Sequence, residues 1–152
     1  MNLWTSVWTN NPYDDYNLVI EISYNGIDND VARIQQSQHE LIFKWYIDPK
    51  GLVIPIDWLL MQLLEAKRDM LDSTKIKENI INKWTSIWKR NVNDDQNIIC
   101  SILCDDDEVA MIKQNEQELI LKWCASPKGL IMSVDWLVEL FLYAKNINIQ
   151  NN

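Results

Sequence analysis

Two spacings of apolar residues organise this chain. Leu18, Ile20, Ile22 and Tyr24 alternate with Val19, Glu21 and Ser23, and Ile98, Cys100, Ile102 and Cys104 repeat the arrangement in the second half. A period of two places each set on one side of a strand. Val31 to Gln36 and Leu41 to Ile47 predict two further strands, the latter turning Leu41, Phe43 and Trp45 inward and Lys44 outward. Asp48-Pro49-Lys50-Gly51 carries turn residues, Pro fixing one dihedral and Gly supplying the left-handed position, and Leu52 to Ile54 form the return strand. Helical periodicity follows from Ile56 to Met70 and from Val134 to Lys145, with Pro55 or Ser133 at the start. Ile76, Ile80, Trp84, Ile87 and Trp88 recur at helical intervals behind Ser73 or Thr74, which predicts a short opening helix.

The same unit is written twice. Asn2-Leu3-Trp4-Thr5-Ser6-Val7-Trp8 corresponds to Asn82-Lys83-Trp84-Thr85-Ser86-Ile87-Trp88 at an offset of 80. Glu40-Leu41-Ile42-Phe43-Lys44-Trp45 matches Glu118-Leu119-Ile120-Leu121-Lys122-Trp123 at an offset of 78, as Pro49-Lys50-Gly51-Leu52 matches Pro127-Lys128-Gly129-Leu130. All eight tryptophans fall into four matched pairs: 4 with 84, 8 with 88, 45 with 123, 58 with 136. The offset changes where Tyr24 to Asp30 becomes Cys104 to Glu108, and length variation of that kind marks a surface turn. The expected fold is α+β: two tandem copies of a helix, antiparallel strand meander, helix unit, residues 1–72 and 73–152, forming a pseudo-twofold body. Trp136 to Tyr143 is apolar nearly all round, so the closing helix should be covered on two sides and join the lobes.

Charge then narrows the partners. The 152 residues hold 14 Lys and Arg against 22 Asp and Glu, a net charge of -8. Nucleic acid is disfavoured as a direct ligand, because phosphate binding draws on clustered cations, and a basic protein is favoured. At 47% hydrophobic the chain carries enough apolar material to fold. No export leader is read at Met1 to Trp8, and the longest apolar run, Trp136 to Ala144, contains Glu139 and is too short to cross a bilayer. Three cysteines, all in the second half, suggest free thiols in a reducing cytoplasm, and the abundant Asn, Ile and Lys suggest an AT-rich bacterial or phage genome.

The candidate partner-binding residues are carboxylates at turns. Asp14 and Asp15 with Asn17 recur as Asp94 and Asp95 with Asn97; Asp28 and Asp30 stand where the second copy concentrates Asp105, Asp106, Asp107 and Glu108. Turn formation and solvation account for such residues locally. Four adjacent carboxylates also repel one another, and a cationic protein surface would relieve that. The cluster lacks the alternating ligands and central Gly of a calcium loop, and no Cys-x-x-Cys exists for zinc, so no metal or cofactor is expected. Cys100, Cys104 and Cys124 read as small core fillers. Glu40 with Lys44 and Glu118 with Lys122 read as same-face ion pairs. His39 is the only histidine, Gln117 takes its place in the other copy, and no nucleophile elbow or metallohydrolase motif is present, so no enzyme activity is expected. The tryptophans read as core, since base-stacking platforms need a basic groove.

The order Trp-x-x-x-Trp, Asp-rich turn (Asp14-Asp15-Tyr16-Asn17; Asp94-Asp95-Gln96-Asn97), meander ending in Lys-Trp, and Asp-Trp-Leu helix resembles small acidic immunity proteins of bacterial polymorphic-toxin systems. The resemblance covers each half separately, and the duplication departs from a single-copy domain. It implies tight occlusion of a toxin domain, often a basic nuclease, with no residue carried over as a contact. The expected function is therefore a cytoplasmic, immunity-like inhibitor of a basic protein, acting as a monomer or homodimer. A phage-encoded acidic DNA mimic is a close variant. The rival from another class is a structural or adaptor module that dimerises or binds partners through its apolar C-terminal helix.

Overall fold

The computed structural model describes residues 3–10, 18–27, 31–37, 40–48, 52–69, 83–88, 98–115 and 118–150. In chain order the elements are β1 (Trp4–Asn10), β2 (Leu18–Tyr24), β3 (Ala32–Ser37), β4 (Glu40–Trp45), β5 (Val53–Pro55), α1 (Ile56–Asp69), β6 (Trp84–Trp88), β7 (Ile98–Cys104), β8 (Asp107–Asn115), β9 (Glu118–Trp123), β10 (Ile131–Ser133) and α2 (Val134–Gln150). The class is α+β, and the described residues form two antiparallel five-stranded sheets and two helices.

The expected opening helix is replaced by a strand in both halves, β1 and β6. Tryptophans four apart satisfy a period of two as well as one of 3.6. The intervening Thr5, Val7, Thr85 and Ile87 are β-branched, which tips the local preference toward extended backbone. Pairing with β2 and β7 completes the choice. Ile76 and Ile80 lie outside the described residues, as does the boundary expected at residue 72.

Strand registers build the core face row by row. Trp8, Ile20, Ile34, Phe43 and Met132 stand side by side across one sheet, and Ser6, Ile22, Ala32 and Trp45 form the next row. In the other sheet the rows are Trp88, Cys100, Ile112, Leu121 and Ile54, then Ser86, Ile102, Ala110 and Trp123. Ile42 and Ile120 are buried on the alternate side, so β4 and β9 are covered on both faces at that level, as central strands commonly are.

The return strands do not fold back on their own meanders. The sheet orders are β1-β2-β3-β4-β10 and β5-β9-β8-β7-β6, so β10 completes the first sheet and β5 the second. Each helix follows its strand: α1 lies against β5 and β9, α2 against β10 and β4. The indole Nε1–H of Trp4 donates to Val53 O and that of Trp84 to Ile131 O, both at 2.8 Å. The first strand of each half thus stays tied to the return strand that has joined the other sheet. At the centre Trp45 and Trp123 meet edge to face with ring centroids 4.8 Å apart, and neither buried indole N–H has a hydrogen-bond acceptor. One continuous apolar cluster joins both sheets and both helices.

The helices start where their sequences allow. Ser133 Oγ accepts from Trp136 N at 3.3 Å, the N-cap arrangement, and Pro55 immediately precedes α1. The two helices are held together at their ends by Asp57 with Lys145 at 2.6 Å and Lys67 with Asp135 at 2.8 Å. α2 is covered on two sides, by β4 and β10 and by α1, while Leu142 and Tyr143 face solvent. No helix is long and apolar enough to cross a membrane among the described residues.

Candidate functional site

Of the ten carboxylates singled out in the sequence, Asp14, Asp15, Asp28, Asp30, Asp94 and Asp95 lie outside the described residues. The other four form the tip of the β7–β8 hairpin. Asp105 and Asp106 are its two central residues, with φ of 51° and 73°. Positive φ at both positions gives the tight turn whose twist matches that of paired strands, ordinarily made by Asn-Gly. Among the described residues of the corresponding β2–β3 turn, Gly26 alone has positive φ, and Ile27 N donates to Tyr24 O at 3.1 Å. The second half therefore holds aspartates in a backbone region that costs roughly 1 kcal/mol per non-glycine residue.

The four carboxylates divide by role. Asp105 is structural: its Oδ1 accepts from Lys83 N at 2.9 Å, and its own N–H donates to Lys83 O at 2.8 Å, fastening the tip to the start of β6. Asp106, Asp107 and Glu108 are exposed, and no lysine or arginine among the described residues pairs with them. The base of the tip is rigid. The pairing of β7 with β8 skips Val109, a bulge whose carbonyl accepts from Cys124 N at 2.9 Å and Ala125 N at 3.2 Å. Three unpaired negative charges thus project from a braced hairpin. No group of carboxylates, histidines and cysteines able to hold a metal occurs among the described residues.

The cysteines separate in the same way. Burial pushes the Cys100 thiol up to about 12, against a backbone hydrogen bond at Ile87. Cys104 is also raised, by burial first and then by the charge of Asp105, to whose Oδ2 its Sγ–H donates at 3.8 Å. Cys124, expected as a core filler, is exposed. The expected pair of Glu118 with Lys122 does not form; Lys122 stands between Met111 and Val53 across the sheet. Side-chain pairing of Glu40 and the position of His39 lie outside the described side chains. Lys44 lies 5.5 Å from the ring of Tyr46, with the Arg33 guanidinium 4.7 Å from the same ring.

Two surface clefts were not foreseen. One, of about 540 Å³, runs along α1 between Asp57, Leu60, Met61, Leu64, Glu65, Arg68 and Lys145. Its cations are engaged: Lys145 pairs with Asp57, and Arg68 forks onto Asp69. The other, of about 320 Å³, is walled by Trp88, Trp136, Leu140 and Tyr143 with Glu139 at its rim. The available signal was a broken match: Glu139 and Tyr143 stand where the first copy has Met61 and Glu65. Comparison with protein-family models, curated proteins and solved structures finds no match.

Proposed function

We propose that the chain is an immunity-like, protein-binding inhibitor that occludes a basic partner such as a toxin nuclease. The observation that carries this reading is the β7–β8 tip, where Asp106, Asp107 and Glu108 stay unpaired on a hairpin braced by Asp105 and the Val109 bulge. Uncompensated like charge on a rigid support speeds encounter with an opposite surface and disfavours wrong partners. A cytoplasmic setting suits the three free thiols.

A tandem, pseudo-twofold body is part of the same proposal. It is supported by the two corresponding sheet orders, by the matched indole bonds of Trp4 and Trp84, and by the reciprocal ion pairs of Asp57 and Asp135. Such a scaffold would present the described acidic tip from its second half, where the first half's described turn residues are Asn25 and Gly26.

The test is retention of host proteins by immobilised wild type beside the triple variant Asp106→Asn, Asp107→Asn, Glu108→Gln. A basic protein held by wild type should associate about tenfold more slowly with the variant, and its rate should depend less steeply on salt. Equal association rates would remove the tip from the interface.

The adaptor reading has its own support in exposed Met61, Leu64, Leu142 and Tyr143 on the helices. A stable dimer at micromolar concentration that shields these four residues would favour it over the inhibitor.

A further inference from the structure

We propose that the cleft between β6 and α2 is a receptor for one cationic side chain, arginine or lysine, of the partner protein. This rests on the reading of a basic partner and names the contact that reading leaves open. The walls are aromatic: Trp88 and Tyr143 meet at 71° with centroids 4.7 Å apart, and Trp136 completes the lining above buried Leu140. Rings set at a steep angle offer a cation both a π-face and a neighbouring edge-defined wall, and the electrostatic attraction of a π-face is strongest for indole.

The fourth side supplies charge. Glu139 lies on the exposed side of α2 at the cleft rim, and no cation among the described residues pairs with it. In an apolar cleft of about 320 Å³ an unpaired carboxylate beside three rings selects a positive group with an aliphatic stem, whose methylenes lie on the rings while the head meets the carboxylate. A neutral apolar side chain would leave the carboxylate without a partner.

The first half shows what the site requires. Its matching positions are Trp8, Trp58, Met61, Gln62 and Glu65. There Gln62 is buried and accepts from Ser6 Oγ at 2.7 Å, exposed Met61 stands at the position of Glu139, and Glu65 stands at that of Tyr143. The tryptophans repeat, whereas the two residues that make a cation site of them do not. The cleft and the described acidic tip both belong to the second half, at opposite ends of β6: the tip beside Lys83 and the cleft at Trp88.

The experiment uses the full chain labelled with ¹⁵N and follows the indole N–H signals. Three probes are titrated: acetyl-Gly-Arg-Gly-amide, the same peptide with citrulline in place of arginine, and tetramethylammonium. The arginine peptide should shift the Trp88 and Trp136 signals, with half-saturation on the order of 10 mM, while the uncharged citrulline peptide should bind at least about fivefold more weakly. Glu139→Gln should weaken the arginine peptide about threefold and Tyr143→Ala by more; both residues are exposed, so the fold is kept, as an unchanged far-ultraviolet spectrum would verify. Equal binding of arginine and citrulline peptides, absence of shifts by roughly 100 mM, or indifference to Glu139→Gln would overturn the assignment. Tetramethylammonium binding more tightly than the arginine peptide would also overturn it, in favour of a small organic cation. A silent cleft combined with a slowed association of the tip variant would reject this contact and leave the inhibitor reading intact.

Discussion

At the end of the β7–β8 hairpin, Asp106 adopts a φ of 73° that glycine would take without steric penalty. Replacement by glycine should therefore raise stability by about 1 kcal/mol, by relieving backbone strain and one like-charge contact. Asp105→Gly should gain little, because it also loses the bond from Lys83 N. Urea denaturation of the two variants measures the difference; equal effects would mean that Asp105 does not brace the tip. Cys100 sets the alkaline limit of another residue-scale effect. Its thiol is near 9.0 when unfolded and about 12 when buried, so the folded chain keeps a proton that the unfolded chain releases. The stabilising contribution is whole below pH 9.0 and is lost as pH rises toward 12. Cys100→Val, which resembles Ile20 of the first half, should flatten that decline in stability relative to wild type, measured by denaturation at several alkaline pH values. A parallel decline would contradict the buried position of the thiol.

Among the elements, legibility followed uniqueness of period. β2, β7, α1 and the start of α2 were readable because alternation over seven residues, or an apolar stripe over fourteen, fits only one periodicity. β1 and β6 carry an ambiguous pattern, because residues 4 and 8, or 84 and 88, coincide on one side of a helix and of a strand alike. The decision came from neighbours distant in sequence: Trp8 opposite Ile20, and Trp88 opposite Cys100. Secondary structure of that kind is a tertiary property, since an isolated strand has no ladder to complete. α2 is covered on two sides, by β4 and β10 and by α1. Leu142 and Tyr143 leave apolar surface in water, although Lys145 beyond them still pairs with Asp57 of α1, and at Tyr143 that surface borders the aromatic cleft.

For the molecule as a whole, the exchange of β5 and β10 between sheets predicts how the chain responds to cutting. If a specific protease site is introduced within residues 70–82 and cleaved, the two fragments should stay together through gel filtration in native buffer. Each would otherwise expose a sheet missing its fifth strand and a helix missing its sheet. Fragments that separate without denaturant would show that the exchange contributes little. The ion pairs of Lys145 and Lys67 at the helix ends are exposed and should contribute less than about 1 kcal/mol each, so the association rests on the apolar cluster that joins the halves.

From its residues alone this chain determined its class, its repeated wording, most strand positions and the acidity of the 105–108 turn, because those follow from local periodicity, turn chemistry and charge. Which neighbour each return strand would join was not encoded locally: Val53 to Pro55 pairs with β9 and Ile131 to Ser133 with β4, partners distant in the sequence. Tertiary structure made that choice, brought Trp88, Trp136, Tyr143 and Glu139 around one cleft, and separated the bracing Asp105 from the unpaired Asp106, Asp107 and Glu108. The physical reason is the same in each case. Burial and pairing are properties of residues far apart in the chain, and a one-dimensional pattern records only which faces are apolar.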